Sequence, residues 1–463
     1  MGISTNLPGQ TSPGISNSSA NTPRKKSNNY FDGLQVTKKH LFLFFIIILS
    51  YFFEQLDNNN FSFVAPAIIK SWGVSQGQIA HVTSLYFLGM TCGGLVGGII
   101  SDLIGRRKSF LGAILIFSSM SVVNGLTSDF SIFMISRALT GFGIFCMMVV
   151  SVAYLSEMAP GESRGKWQSL TAAGGFCAMP VIGLISRAII PMSPEAWRII
   201  FYIGGIGFIG FLLGLIYLKE SPRWLVAKGK ISEAEKVVED LTGIAVDLSE
   251  AARNVPKKLK TSEQFIGMFS GKYLRRTIIL LLIGIPINVG TFATQVWTPT
   301  LLNMKGFTLV QSLSVGTASM LGGPVGIFLS SFVSDKGGRK IPIGIGTLFL
   351  VCMTIIFAGL GNTYMATMLV GFLMNAAIMG TGFISMAYVP EHYPTKMRNT
   401  SVGFINACQR LGVSGSQLFI PTVMAAFGFK SLFMGIAGLY IFSALVVLLL
   451  GERTGGKSLE EVD

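Results

Sequence analysis

Ser101-Asp102-Leu103-Ile104-Gly105-Arg106-Arg107-Lys108 returns later in the chain as Ser334-Asp335-Lys336-Gly337-Gly338-Arg339-Lys340. Each copy follows one long apolar run and precedes another. A second pair of segments behaves the same way. Glu157-Met158-Ala159-Pro160 with Arg164 is echoed by Glu391-His392-Tyr393-Pro394 with Arg398, at equal Glu-to-Arg spacing. Both pairs are offset by about 233 residues (334 − 101), so the chain is a tandem repeat whose units are long enough to be half of the protein.

Working outward from these loops, twelve apolar stretches can be marked: 40–66, 79–100, 109–127, 131–155, 167–190, 198–218, 275–300, 309–333, 341–359, 364–389, 398–421 and 430–450. About 20 residues of helix cross a ~30 Å hydrocarbon layer. Backbone groups in lipid must bond internally and these runs are too long for barrel strands, so they read as helices. The expected fold is an all-α membrane protein of twelve transmembrane helices in two six-helix bundles, 40–218 and 275–450. A polar linker, 219–274, joins them. Residues 1–39, rich in Ser, Asn, Gly and Pro, read as a disordered tail, and 451–463 as a short C-terminal tail.

Composition agrees. Of 463 residues, 50% are hydrophobic and only 13% charged, about half the charge of a soluble chain. The net charge of +14 sits in short loops between apolar runs, which excludes a nucleic-acid-binding surface. Among 36 Lys and Arg, Lys70, Arg187, Arg198, Lys305 and Lys430 fall at one side, Arg137 and Arg410 fall within helices, and the remainder lie at the side of the linker and termini. The positive-inside rule therefore predicts cytoplasmic termini and linker, in a multi-pass cell-membrane protein. Cys92, Cys146, Cys177, Cys352 and Cys408 lie in apolar segments without paired spacing, and His40, His81 and His392 are scattered. Neither a disulfide framework nor a metal site is predicted. No phosphate-cradling loop is present, which excludes an ATP-driven pump, and no cofactor is expected.

The loops carry a resemblance. Gly98 to Lys108, with Asp102, Gly105, Arg106 and Arg107 in place, resembles the hallmark loop of the major facilitator superfamily. Arg137-Ala-Leu-Thr-Gly141-Phe-Gly143 resembles its fourth-helix motif. Lys219-Glu-Ser-Pro-Arg-Trp-Leu225 and Gly451-Glu-Arg-Thr-Gly-Gly-Lys-Ser-Leu-Glu-Glu461 resemble segments of sugar porters and their relatives. Sugar porters carry a Gln-Gln pair and a downstream Asn in helix seven, where this chain has a single Asn288 and a single Gln295. Phe53-Glu54-Gln-Leu-Asp57, Trp297-Thr-Pro-Thr-Leu-Leu302 and Gln409-Arg410-Leu-Gly412 look more like the aromatic-acid and metabolite proton symporters.

Only Glu54 and Asp57 of 22 acidic residues fall within a predicted membrane helix. A carboxylate in the membrane is costly and reads as functional by default. Asp57 lies roughly 25 Å along helix one and Arg137 roughly 10 Å from the start of helix four, which sets them at comparable levels. The resemblance implies that Asp57 and Arg137 couple proton movement to the transport cycle, with Glu54 as an accessory acid; a static ion pair is the alternative. Arg410, roughly 18 Å into helix eleven, has no charged counterpart in the first repeat. With no acid in the second bundle to pair it, it is predicted to hold a substrate carboxylate through its planar fork. Other substrate-binding candidates are Asn288, Gln295, Trp297 and Tyr388. The aromatics Tyr86, Phe145, Phe292 and Phe383 are weighed as cavity lining against lipid contact. Asp102 with Arg106, Glu157 with Arg164, Asp335 with Arg339 and Glu391 with Arg398 are expected to form cytoplasmic gate networks or to act as topology signals. The expected function is proton-coupled uptake of a small organic acid by a monomer, its partners being solute, protons and the bilayer. A sugar or other metabolite transporter, a drug or metabolite exporter and a non-transporting sensor remain alternatives.

Overall fold

The computed structural model describes residues 25–26, 30–253, 261–334, 338–361, 363–394 and 397–454. Among them eleven helices are long and apolar enough to cross a membrane. The first four are Lys38–Trp72, Gln76–Ile104, Arg106–Leu126 and Phe130–Met158. Span five comes in two pieces, Arg164–Phe176 and Ala178–Ile189, as does span six, Trp197–Gly205 and Phe208–Tyr217. Spans seven to ten are Gly271–Met304, Leu309–Ser331, Lys340–Gly359 and Tyr364–Tyr388.

The twelfth crossing is hidden by polarity and by a turn. Arg398–Gln417 is 20 residues long but carries Asn406, Gln409, Arg410 and several hydroxyls, too polar to register as a membrane span by hydropathy. The helix that follows, Ile420–Leu450, breaks at Gly428 (φ 75°, ψ 175°), a conformation only glycine adopts without strain. Its first turns, 420–427, therefore extend span eleven, and 429–450 form span twelve.

The repeat read from the loops reaches the far ends of the helices. Spans two and eight both begin with a left-handed glycine, Gly73 (φ 65°) and Gly306 (φ 105°), followed by a capping box, Ser75 with Gln78 and Thr308 with Gln311. It also sets the packing. Gly89 and Gly93 of span two press on the carbonyls of Ala138 and Phe142 in span four, and Gly322 and Gly326 of span eight press on those of Phe372 and Ala376 in span ten. Every one of these pairs keeps the repeat offset. Small residues let backbones touch, and dispersion and carbonyl contacts then hold helices together where no hydrophobic drive separates protein from lipid.

Between the halves, span one packs on span seven, span two on span eleven, and the second piece of span five on span eight. At the end opposite the linker the contacts are tight. Ser414 Oγ donates to the Ser84 carbonyl at 2.7 Å, Gly183 lies against Thr317, and Gly316 against Phe63. One apolar core there mixes residues of both halves, including Phe63, Ile182, Trp297 and Leu313. At the linker end the cores are separate, one around Phe44, Phe110 and Tyr154 that belongs almost entirely to the first half, another around Ile343, Tyr388 and Val447 in the second. The far side is closed.

The linker carries helices Pro222–Ala227, Ile231–Thr242, Ser249–Arg253 and Thr261–Gly267. Asp240 anchors it, pairing with Lys39 at 2.6 Å and Lys219 at 2.9 Å, and these contacts, Lys219 foremost, hold its carboxyl below the usual range. The tail reading needs a correction. Residues 30–37 are docked: Phe31 is buried edge-on against the His40 ring, the Asp32 carboxylate accepts the Gly161 amide at 2.5 Å, and Thr37 Oγ1 donates to the Leu241 carbonyl at 2.5 Å. Lys25–Lys26 pairs in parallel with Val246–Asp247. Residues 1–24 of the expected tail and 455–463 lie outside the described residues.

Filling a glycine contact tests the packing. Gly326→Val should lower the thermal midpoint in detergent, because overpacking costs about 1–3 kcal/mol. Gly438→Ala, where an added Cβ meets nothing, should be neutral. Equal effects at the two positions would mean that the spans eight and ten contact does not carry stability.

Candidate functional site

The middle of the first half holds the two acids. Glu54 and Asp57 sit in span one and are 1% and 0% exposed, although no lipid-facing helix tolerates a bare carboxylate. Asp57 Oδ1 accepts from Asn60 Nδ2 at 2.5 Å and from Ser121 Oγ of span three at 2.8 Å. Gly204 of span six makes room: a Cβ there would come within 2.6 Å of the same Oδ1. Asp57 Oδ2 has no hydrogen-bond partner among the described residues, nor has Glu54 Oε2.

Arg137 approaches from span four. It is fully buried, and its three guanidinium nitrogens have no hydrogen-bond partner among the described residues. The group lies instead among three rings, 4.5 Å from Tyr86, 5.0 Å from Phe61 and 5.6 Å from Phe201. Such faces attract a cation by their quadrupole, more strongly where water is excluded. Asp57 and Arg137 feel each other's charge without a direct bond.

Arg410 crosses from the second half. Its guanidinium lies 4.9 Å from the Phe145 ring of span four, 4.6 Å from Phe292 of span seven and 6.0 Å from Phe87 of span two. Its Nη1 has no hydrogen-bond partner among the described residues, and the residue is partly exposed. Glu54 and Arg410 act on each other electrostatically across the two halves. Arg410 therefore does have an acid within reach, contrary to the expectation of an unpaired cation. The acid comes from the other bundle, which counting charges within one bundle overlooks. Asn288 stands beside this group, its amide donating to the Gly284 carbonyl at 2.9 Å and to Gln409 Oε1 at 3.3 Å.

The remaining candidates part company. Gln295 lines a small cavity toward the closed side, with Ser62, Thr294, Thr298, Ser319 and Asn375. Trp297 is buried and donates its indole N–H to Gln417 Oε1 at 2.7 Å, a bond within the second half. Tyr388 is not at the site. It is the last residue of span ten and so sits at the linker end, where its hydroxyl donates to the Glu452 carbonyl at 2.9 Å. Phe383 is exposed, whereas Tyr86, Phe145 and Phe292 all face a guanidinium. Phe61, Phe87 and Phe201 were not foreseen. With 35 Phe in the chain, nothing local marks the three that surround a cation.

The gate residues pair differently from expectation. Arg106 takes both partners of its neighbourhood, Asp102 at 2.6 Å and Glu157 at 3.1 Å, the latter through a two-nitrogen fork. Glu157 therefore does not pair with Arg164, whose Nε lacks a partner among the described residues. Glu220 Oε1 accepts the amides of Arg106 and Arg107 at 2.7 and 3.1 Å, capping span three in place of a side chain at Gly105. In the second half Arg339 pairs with Glu391 at 2.7 Å, the counterpart of Arg106 with Glu157. Arg398 instead donates to the carbonyls of Pro390 and Tyr393 at 3.1 and 3.2 Å. Asp335 lies outside the described residues. In both halves the arginine of the preceding loop reaches the helix-end glutamate, and in the second half the arginine seven residues on turns back to its own 3-10 turn. Each of these pairs lies within one half.

The model of the Major Facilitator Superfamily matches residues 47–417. The chain is 30% identical over 447 residues to the putative metabolite transport protein YyaJ of Bacillus subtilis, covering 94% of this chain and 98% of that one. It is 26% identical to the niacin transporter NiaP of Acinetobacter baylyi, covering 93% and 98%. Among solved structures, a partially occluded inward-open form of the xylose transporter XylE from E. coli superposes with a TM-score of 0.71 at 19% identity, covering 90% of this chain and 99% of that one. The chain belongs to the Major Facilitator Superfamily. It is a multi-pass membrane transporter of small molecules and not an enzyme.

Glu157→Gln should lower the thermal midpoint, since a charge-assisted bond contributes about 1.5–3 kcal/mol. Arg164→Gln should leave it nearly unchanged. The reverse order would restore the pairing first read from the sequence.

Proposed function

We propose that the protein imports a small organic acid together with a proton, by alternating access, as a monomer in the cell membrane with its termini and linker in the cytoplasm. The observation that carries the reading is Arg410: a guanidinium of one half held in rings of both, with a free nitrogen and Glu54 of the opposite half within electrostatic reach. An incoming carboxylate can take the bidentate geometry that no protein group occupies there. Two carboxylates beside one guanidinium would leave a net negative charge in a water-poor site, so the substrate's arrival at Arg410 favours a protonated Glu54. The anion and its proton then travel as a neutral load. Asp57 and Arg137, close but unbonded, are the second pair whose separation and approach would switch between the two closed states. The rings of Phe87, Phe145 and Phe292 favour a planar, apolar body on the acid. Niacin, the solute in one relative's name, is an aromatic carboxylic acid, which supports this class.

The arrangement of charge along the loops supports the orientation, and closure at the far side then makes this state open toward the cytoplasm. The separate cores at the linker end support the same reading, since each half keeps its own ion pairs there.

Binding by Arg410 variants is the test. Arg410→Ala should lose roughly ten- to a hundredfold in affinity for the transported acid, on the scale of a charge-assisted bond, and Arg410→Lys should lose less. Esters and amides of that acid should bind wild type poorly and lose little more in the variant. Normal binding and transport by Arg410→Ala, or an uncharged sugar as best substrate, refutes the organic-acid reading. The coupling role has its own test: Asp57→Asn, a fixed mimic of the protonated acid, should abolish accumulation against a gradient but spare exchange. Undiminished accumulation with unchanged pH dependence would remove Asp57 from the coupling step.

A further inference from the structure

Three spans that wall one cavity carry an internal proline: Pro66 in span one, Pro299 in span seven and Pro324 in span eight. A proline nitrogen has no hydrogen, so each withdraws the helical donor from the carbonyl four residues earlier. Those carbonyls belong to Ser62, Gln295 and Met320. All three residues line one cavity of ≈ 20 Å³, walled by span one of the first half and spans seven, eight and ten of the second. No charged residue lines it.

The side chains around it are short of hydrogens as well. Ser62 Oγ donates to the Asn59 carbonyl at 2.9 Å, Thr298 Oγ1 to Thr294 at 2.5 Å and Ser319 Oγ to Val315 at 2.8 Å, so these hydroxyls can offer only lone pairs inward. Asn375 is 5% exposed and its Oδ1 has no partner among the described residues. Gln295 Nε2 is also without a partner, and half a turn of that amide would present its oxygen instead. A single water brings two hydrogens to this collection of oxygens and leaves most of them unmet. A small cation meets many at once, as freed carbonyls and hydroxyls do for sodium where helices are interrupted in membranes.

We propose that this cavity is a sodium site, in which carbonyl oxygens of Ser62, Gln295 and Met320, the hydroxyls of Thr298 and Ser319 and Asn375 Oδ1 are the candidate ligands. A divalent ion is disfavoured because no carboxylate offsets its desolvation. Since the walls come from both halves, the site is complete only while the far side is closed, and a bound ion stabilises that state by mass action. It fills and empties from the far side, so no ion is carried across.

The test is equilibrium binding of ²²Na⁺ to the purified full-length chain in a choline chloride background, without substrate. Wild type should bind one ion per chain, displaced by unlabelled sodium. Pro324→Ala, which returns a backbone donor to the Met320 carbonyl, should weaken binding about tenfold, the worth of one lost ligand, and Asn375→Leu at least as much. Binding is read without any carboxylate present, so its outcome stands apart from the carboxylate reading. Absence of saturable binding to wild type overturns the proposal and leaves the cavity to water. Saturable binding that neither variant weakens also overturns it, by placing the ion elsewhere; should Asn375→Leu fail to fold, Pro324→Ala decides alone.

Discussion

Everything at the centre of this protein depends on balancing charge where water is scarce. Glu54 and Asp57 bring two negative charges, Arg137 and Arg410 two positive ones, and the four are held within the bundle without one short ion pair among them. A fully bonded set would be stable and inert. An isolated charge would cost several kcal/mol. What the chain has instead is a neutral set whose members rest on aromatic faces, hydroxyls and amides, each retaining at least one unoccupied atom. Under the proposed function, that arrangement admits an anion together with a proton.

The scaffold that holds the charges is built for two arrangements. Glycine contacts weld span two to span four and span eight to span ten, so each half moves as a body. The ion pairs of Arg106 and Arg339 fasten loop to helix end inside their own halves, which keeps those ends rigid while leaving the linker side free to part. The halves meet through serine contacts and packed rings at the far side, weak enough individually to be exchanged for others. Arg410 spans the division directly, lodged between Phe145 of one half and Phe292 of the other. Any movement between halves must therefore change its surroundings.

Much of this was legible in the residues. The repeated loops, charge asymmetry and apolar lengths led to twelve helices in two bundles, and the repeat proved deeper than the loops, down to capping boxes and packing glycines. The intramembrane charges announced themselves because so few exist. What could not be read were partners chosen by three-dimensional proximity. Glu157 goes to Arg106 rather than to the equally spaced Arg164, Glu54 reaches an arginine in the other bundle, and particular phenylalanines among many enclose the cations. Tyr388 illustrates the limit best: an aromatic at the last residue of span ten, it meets the backbone of Glu452 at the linker end rather than the site. Periodicity gives a face of a helix, but not which neighbour that face meets.

If neutral co-movement of acid and proton is the central event, its electrical signature is decisive. In proteoliposomes with a pH-sensitive dye inside, uptake of the transported acid should acidify the lumen by one proton per molecule. Its rate should follow an imposed pH gradient and ignore a potential clamped with potassium and valinomycin. Protein-free vesicles and the Glu54→Gln protein should show neither response beyond passive leak. Uptake that tracks the membrane potential, with no change in lumenal pH, would contradict the account.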